Sequence, residues 1–427
     1  MAEQSQLEFQ HTSEQLAALC RLSGRLRAAA SPMGAAVRTP AVREEVDVML
    51  PRLCHLCRRA PGLLLLSALL ALLPGCQDRL ALENITLVLT LGIDLDSNND
   101  LVFYASSPVF NKEAKEKNEV STVNALTLRN ARNELEGRVS ALISSGKIQN
   151  IVVGKRVLAH PGWFRILDMV YRDPKTTVTA RVIAFDGAVK DLVYFAPRDK
   201  RRMPLHLAKL VDTAHDRNLV QLTTLFELHR QMYEKGMTPY LSYVTKKDEL
   251  VAQGTALLTK QGTFAYTLNH KENQYLQMLQ DKKKGPLSLT LPLPAHGGES
   301  LFHTDAVSFY VQELKRSLHT RYADGRFHFE ITLAIPIQLT EKLFTFDVFQ
   351  HAPELEAQIN DEMTKDISAL ITNLQKHELD PIGLGLYARG HAFHEWEKVK
   401  DDWGHAFAQA EITVHVQTNI KNMGETT

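Results

Sequence analysis

The 427-residue chain holds only four cysteines, Cys20, Cys54, Cys57 and Cys76. Beyond residue 76 there is none, which excludes an internal disulfide or a thiolate metal cluster from the bulk of the protein. A chain of this length buries enough surface to hold its fold without covalent help. An excess of charge is missing too: 49 Lys and Arg balance 49 Asp and Glu. That balance argues against a dedicated nucleic-acid binder, which carries a basic surplus. No G-x-S-x-G elbow, G-x-G-x-x-G fingerprint or phosphate loop occurs, so no familiar catalytic signature marks the chain. At ~150 residues per domain, its length suits two or three domains.

What the sequence does have is one very apolar stretch, from Gly62 to Leu73. It is shorter than the ~20 residues a membrane-spanning helix needs. It has the length of a secretory h-region, and Arg52, Arg58 and Arg59 supply the positive flank such a signal carries. The run ends on Leu73-Pro74-Gly75-Cys76, which resembles a bacterial lipobox with Pro74 as its unusual member. The match implies cleavage between Gly75 and Cys76 and a diacylglycerol thioether on Cys76. A signal of this kind is expected to begin near its basic region, at Met49. Residues 1–48 then read as a non-native upstream extension and 49–75 as the signal peptide. Cys54 and Cys57 form half a zinc site at most, in a segment expected to be removed.

Past Cys76 the hydrophobic period alternates between two and 3.6. Leu87, Leu89 and Leu91 alternate, "DLDSNND" makes a turn, and "LVFYASS" resumes a strand. Asp94, Asp96, Asn98 and Asp100 imitate a calcium loop, but its sixth and twelfth positions hold Asn99 and Ala105 instead of Gly and Glu. A plain hairpin is expected. The spacing of Leu128, Ala131, Leu135, Val139 and Leu142 predicts a helix over residues 124–145, capped by Gly146. Strands are expected in "IQNIVVGKRVLA" and "TVTARVIAFDG", and a short helix in "WFRILDMVYRD".

Helices are also expected over 205–216 and 219–235. Between these and the preceding strand lies "PRDKRRM". Arg198, Lys200, Arg201 and Arg202 could meet anionic lipid headgroups at ~1 kcal/mol each, or form a solvated linker, the simpler reading. Asp324-Gly325 signals a hairpin. The strand beyond it, Phe327 to Ile335, is expected to end, bulge or lie at an edge at Pro336. Leu355, Ile359, Met363, Ile367, Leu370 and Leu374 share one helical stripe, and Ile412, Val414 and Val416 mark a last strand. The whole is mixed α and β.

Seventeen histidines invite a metal reading. His391 and His394 lie one turn apart with Glu395 beside them and His405 further on, but a zincin requires H-E-x-x-H. A polar helix face packed through Trp396 and Trp403 is the simpler account. No catalytic residue, cofactor or metal ligand is assigned.

Several stretches together resemble the Ger(x)C family, the C-subunit lipoproteins of spore germinant receptors. They are Cys76 followed by Asp78-Arg79 (with Gln77 where the family has tryptophan), Gly92-Ile93-Asp94, Tyr171 to Pro174, Gly254 to Leu258, and Glu272. The most specific is "DPIGLGLYARGHAFHEWEKVKDDWGHAF", with Asp380, Gly383, Trp396 and Trp403, ahead of Gly424. The resemblance implies a non-enzymatic, three-part α+β protein with antiparallel-rich sheets and packed helices. Its expected parts are an N-terminal domain over 76–196, a middle domain over 204–300 and a C-terminal domain over 301–427. It also implies anchoring through Cys76 at the outer face of the spore inner membrane. The partners it implies are polytopic A-type and B-type subunits, in nutrient-triggered germination and without nucleic acid. Two alternatives stand beside it. A free-standing solute-binding lipoprotein predicts two similar lobes around a cleft. A hydrolase using His391 and His394 predicts bound zinc.

Overall fold

The computed structural model describes residues 85–110, 114–138, 142–197, 200–293 and 305–422. Gly75, Cys76, the signal segment, the other cysteines, Asp78, Arg79 and Gly424 lie outside the described residues, as does Val139.

The first half of the described chain builds an eight-stranded sheet. Its strands are β2 (Thr90–Leu95), β3 (Leu101–Pro108), β4 (Asn118–Asn124), β6 (Asn150–Gly154), β7 (Arg181–Asp186), β8 (Tyr240–Lys246), β9 (Leu250–Leu258) and β10 (Phe264–Leu268). Their order is β10-β9-β8-β7-β6-β2-β3-β4. The inner pairs β2–β6, β6–β7 and β7–β8 are parallel and the outer pairs antiparallel. Every residue of β6 is buried, as a strand covered on both faces requires. One face carries α1 (Leu128–Glu136) and α3 (Leu225–Tyr233), which pack through Leu128, Leu135 and Leu228. The other carries the short helix Val189–Val193 and α2 (Met203–Asp216), through Leu192, Leu207 and Val211. A separate parallel pair joins β1 (Ile85–Leu87) to β5 (Leu142–Ser144).

The second sheet holds β11 (Leu287–Pro292), β12 (Ala306–Val311), β13 (Lys315–Ala323), β14 (Arg326–Lys342) and β15 (Glu411–Asn422). β12 and β13 lie along one edge of β14, and β15 runs parallel along the other. α5 (Val348–Lys376) buries the stripe Leu355, Ile359, Met363, Ile367, Leu370 and Leu374 in the same core as Phe329, Ile331 and Leu333. Each such side chain contributes roughly 1.5–3 kcal/mol by leaving water. α4 (His270–Leu279) bridges the two sheets: Tyr275 and Leu276 join the second core. On its other side, Asn273 bonds to Thr255 and to the Asn218 carbonyl, and Gln277 to the Val220 carbonyl. The segment 204–300, expected as a middle domain, therefore gives β8 to β10 to the first sheet and β11 to the second.

Two local expectations are corrected and a third is narrowed. The helix expected over 124–145 is only α1: Thr127 caps its start, Gly137 ends it, and Leu142–Ser144 pair with β1. That tertiary pairing overrides the helical spacing of Leu142. The helix expected from 219 begins at Leu225. The preceding stretch is held extended, with Val182 N–H donating to the Thr223 carbonyl (2.8 Å) and Ser242 Oγ to the Gln221 carbonyl (2.6 Å). Finally, β14 runs straight through Pro336. On one edge its partner changes from β13, paired as far as Ala334, to β12, paired from Ile337; on the other Pro336 lies opposite Asn419 of β15, and a register shift follows one residue on, between Ile337 and Gln338. The Asp324-Gly325 hairpin stands as expected, with φ of 51° and 77°. So does the turn at Asp96, whose carboxylate accepts from Asn98 N–H (2.8 Å), Asp100 N–H (3.0 Å) and Asn124 Nδ2 (2.8 Å).

Candidate functional site

The residues that stand out in the sequence converge on a joint between the two sheets. α5 stops at Lys376, and Glu378 turns left-handed (φ 56°) into Leu379-Asp380-Pro381. Pro381 holds Asp380 out of helical conformation. The chain re-enters helix at α6 (Leu384–His391) by way of Gly383, at φ 85°. Asp380 is fully buried. Its carboxylate accepts three hydrogen bonds, from Gly383 N–H (2.7 Å), Gly385 N–H (3.0 Å) and Trp403 Nε1 (2.9 Å). Burial pushes the carboxyl above its ordinary pKa, and these donors oppose the rise.

Around this carboxylate the second half grips the first. Thr238 N–H donates to the Asp380 carbonyl (2.9 Å) and Gln280 Nε2 to the Pro381 carbonyl (2.7 Å). Arg389 pairs with Glu234 at 3.1 Å and Lys235 with Asp401 at 2.5 Å. Gly236, between α3 and β8, meets Gly385 backbone to backbone: a Cβ on Gly236 would sit 2.7 Å from the Gly385 carbonyl carbon. Lys260 closes the end of α3, donating to the carbonyls of Gln231 (2.8 Å), Glu234 and Met237 (3.4 Å). Its burial pushes the ammonium down to about 8. Of these partners, Asp380, Gly383 and Trp403 stand out in the sequence. Glu234, Gly236, Lys260 and Gln280 do not, because each acts through a contact far away in the chain.

The other marked stretches are also structural. Asp94 ends β2 buried, accepting from Val189 N–H (2.8 Å), which fastens the start of helix Val189–Val193, and from Leu95 N–H (2.9 Å). Gly92 lies where a Cβ would strike Val189. Tyr171 donates to the Leu225 carbonyl (3.1 Å), and Asp173 pairs with Arg132 (3.3 Å). Gly254 lies against the Leu268 carbonyl, which leaves no room for a side chain. Glu272 completes a capping box with Asn269 on α4. Trp403 packs on Phe327 at 5.4 Å besides its bond to Asp380. Trp396 is buried beneath the Arg389 guanidinium, 5.5 Å from the ring centre.

The structure does not bring His391, His394 and His405 together as ligands. His391 Nδ1 lies 3.0 Å from the Tyr387 carbonyl, His394 lies beside Phe393, and His405 faces Glu378 at 3.5 Å. Among the described residues no group of three His, Cys, Asp or Glu side chains could hold a metal. No helix among them is long and apolar enough to cross a membrane.

Two unlike sheets, joined by a glycine-on-glycine contact whose second-half side is braced by a buried carboxylate, define an α+β protein whose most distinctive residues lie at the joint between its halves. The chain belongs to the Ger(x)C family of spore germination proteins. Residues 78–246 match the family model "Spore germination protein N-terminal domain", and residues 253–424 match "Spore germination B3/GerAC like, C-terminal". The boundary between the two matches falls in the β8–β9 hairpin, so β9 and β10 hydrogen-bond into the first sheet from the C-terminal match. Spore germination protein KC of Bacillus subtilis (strain 168) is 22% identical over 397 residues, covering 85% of this chain and 95% of that relative. Spore germination protein GerQC of Bacillus cereus is 18% identical, covering 82% and 96%. The crystal structure of the GerBC protein shares the fold, with a TM-score of 0.50 at 15% identity over 78% of this chain and 97% of that one. The family is a class of germinant-receptor proteins, not of enzymes.

Proposed function

We propose that this protein is the lipid-anchored C subunit of a spore germinant receptor. In this reading Cys76 carries a diacylglycerol after cleavage behind Gly75, and the body assembles with polytopic A-type and B-type subunits at the outer face of the spore inner membrane. The observation that carries it is the lipobox-like Leu73-Pro74-Gly75-Cys76 immediately ahead of a near-full-length match to spore germination proteins. Two acyl chains on one thiol suffice for stable anchoring where one is marginal. Eight residues separate Cys76 from Ile85, a covalent reach of about 30 Å at most. The two sheets differ in strand number and order, unlike the paired lobes of a solute-binding protein.

The test is purification of a C-terminally tagged protein from spore membranes in mild detergent, beside a Cys76→Ala control. Mass spectrometry is expected to find the mature N-terminus at an acylated Cys76, with polytopic receptor subunits co-purifying and reduced in the control. An unmodified Cys76, or membrane protein that brings down no such subunit, would overturn the corresponding half of the proposal.

A further inference from the structure

A cationic, aromatic-edged groove opens at one end of the first sheet. It has a volume of about 940 Å³ and lies between the start of β4 and the segment leading into α2. Lys115, Lys117, Arg201 and Arg202 line it, and their side chains have no ion-pair partner among the described residues. A fifth cation, Lys200, is paired with Glu249 at 2.6 Å, and the acid among the lining residues is Glu116. The N-terminus of α2 opens beside Arg202, adding its partial positive charge. Two large aromatic side chains stand exposed at this end: Tyr194, which lines the groove, is 55% exposed, and Phe110 is 56%. Val109 N–H bonds to the Lys117 carbonyl (3.1 Å), so Phe110 adjoins the lysines. Cations interleaved with exposed aromatic rings are the side-chain chemistry of a membrane–water interface.

Hydrogen bonds fix which end of the sheet this is. Asn150 Nδ2 donates to Thr90 Oγ1 (3.0 Å) and to the Pro204 carbonyl (2.8 Å). Asn118 Nδ2 donates to Ser106 Oγ (2.7 Å), and Ser106 pairs with Thr90 in the β2–β3 ladder. The first residue of β2, the start of β4 and the start of α2 are thereby tied together. The groove thus lies at the end where the chain enters the sheet from its N-terminal side.

We infer that this groove is a docking face for anionic phospholipid headgroups, seating the first sheet on the bilayer surface with Tyr194 and Phe110 at the interface. The inference rests on the anchoring proposed above, which supplies the tether that makes weak surface contacts count. Four unpaired cations, at the strength usual for basic residues near an anionic leaflet, favour it by on the order of 10²- to 10³-fold over a neutral one.

The experiment reconstitutes the acylated mature protein, from Cys76 onward, into phosphatidylcholine vesicles with or without about one-third phosphatidylglycerol, and follows hydrogen exchange over residues 114–121 and 194–205 by mass spectrometry. Exchange in both stretches is expected to slow at least ~10-fold on the anionic vesicles and to recover in high salt, where headgroup attraction is screened. Lys115→Glu, Lys117→Glu, Arg201→Glu and Arg202→Glu combined should abolish the slowing. Reversing Lys365, Lys376, Lys398 and Lys421 on the second half should leave it intact, with unchanged melting in both variants. Equal exchange on the two vesicle types, or slowing that survives the groove reversal, would overturn the inference. So would a groove variant that loses a co-purifying receptor subunit without any lipid dependence, since that assigns the face to a protein. Failure of the anchor shows separately, as protein absent from the vesicle fraction.

Discussion

Removing the Asp380 carboxylate should loosen the second half's side of the joint, and the size of the loss can be worked from its contacts. Asp380→Ala leaves three buried N–H groups, on Gly383, Gly385 and Trp403, without an acceptor. Each orphaned donor costs about 1–3 kcal/mol, a gross loss of about 3–9 kcal/mol. Against it stands relief from keeping a charge in a fully buried site, an effective penalty of several kcal/mol. The carboxylate's raised pKa shows that this penalty is only partly offset by its donors. The net loss is therefore expected near the low end, about 3 kcal/mol. Asp380→Asn keeps the shape and one acceptor while turning an amide N–H₂ toward at least one donor, so its loss should be smaller, about 1–2 kcal/mol. Urea unfolding followed by tryptophan fluorescence suits the measurement, because Trp403 is itself a partner. pH adds a second check. A carboxyl whose folded pKa is raised is penalised once pH climbs above its unfolded value of about 3.9. The advantage of wild type over Asp380→Asn should thus be largest in acid and shrink as pH rises through the folded pKa. A loss under 1 kcal/mol for Asp380→Ala, or an advantage that grows with pH, would refute the account.

The joint makes further predictions. Gly236→Ala and Gly385→Ala each place a Cβ against backbone of the opposing segment, within 2.7 Å and 2.6 Å respectively, so each should cost about 1–3 kcal/mol. Because they spoil one contact, the double variant should lose less than the sum, as a thermal-melt cycle would show. Lys260, held down to about 8 by burial, disfavours the folded state while charged. Wild type should therefore gain stability relative to Lys260→Met as pH rises from about 8 toward the free-lysine value near 10.4, and a flat difference in melting temperature across that window would count against it. Gly254→Ala drives a Cβ into the Leu268 carbonyl oxygen; it should destabilise the β9–β10 edge by more than 3 kcal/mol, visible as early loss of exchange protection over residues 254–268.

What was legible in the sequence follows from how far each signal reaches along the chain. The α5 stripe was readable because a helix face repeats every three to four residues and all six apolar members are buried together. The Asp324-Gly325 turn was readable because its cause lies in the two residues themselves. Leu142 misled because its helical spacing from Leu135 is local, whereas its pairing with Ile85 spans 57 residues. The stretch before Leu225 misled for the same reason. Asp380 and Trp403 could be marked as a pattern, yet their bond spans 23 residues, and nothing in either residue announces the other. Gly236 reads in the sequence only as the glycine that follows a helix, an ordinary cap. Its partner Gly385 lies 149 positions away.

This distribution bears on how such a protein works. The Thr238 N–H bond to the Asp380 carbonyl, the glycine contact and the Arg389–Glu234 pair fasten the second half to the segment between α3 and β8. That segment leads directly into β8, a strand of the first sheet. A force or contact received on the second sheet thus has a short, stiff route to the first, through backbone packed on backbone instead of through a flexible linker. Under the anchoring proposed above, rigidity at the joint decides whether the distal sheet is held at a set position or swings freely. The loss expected for Gly236→Ala is therefore a measure of coupling as well as of stability. Opening the joint while both sheets stay folded should leave protection in β6 and β14 unchanged and raise exchange only over residues 234–238 and 380–389. A variant that loses protection throughout would show instead that the two sheets fold as one unit.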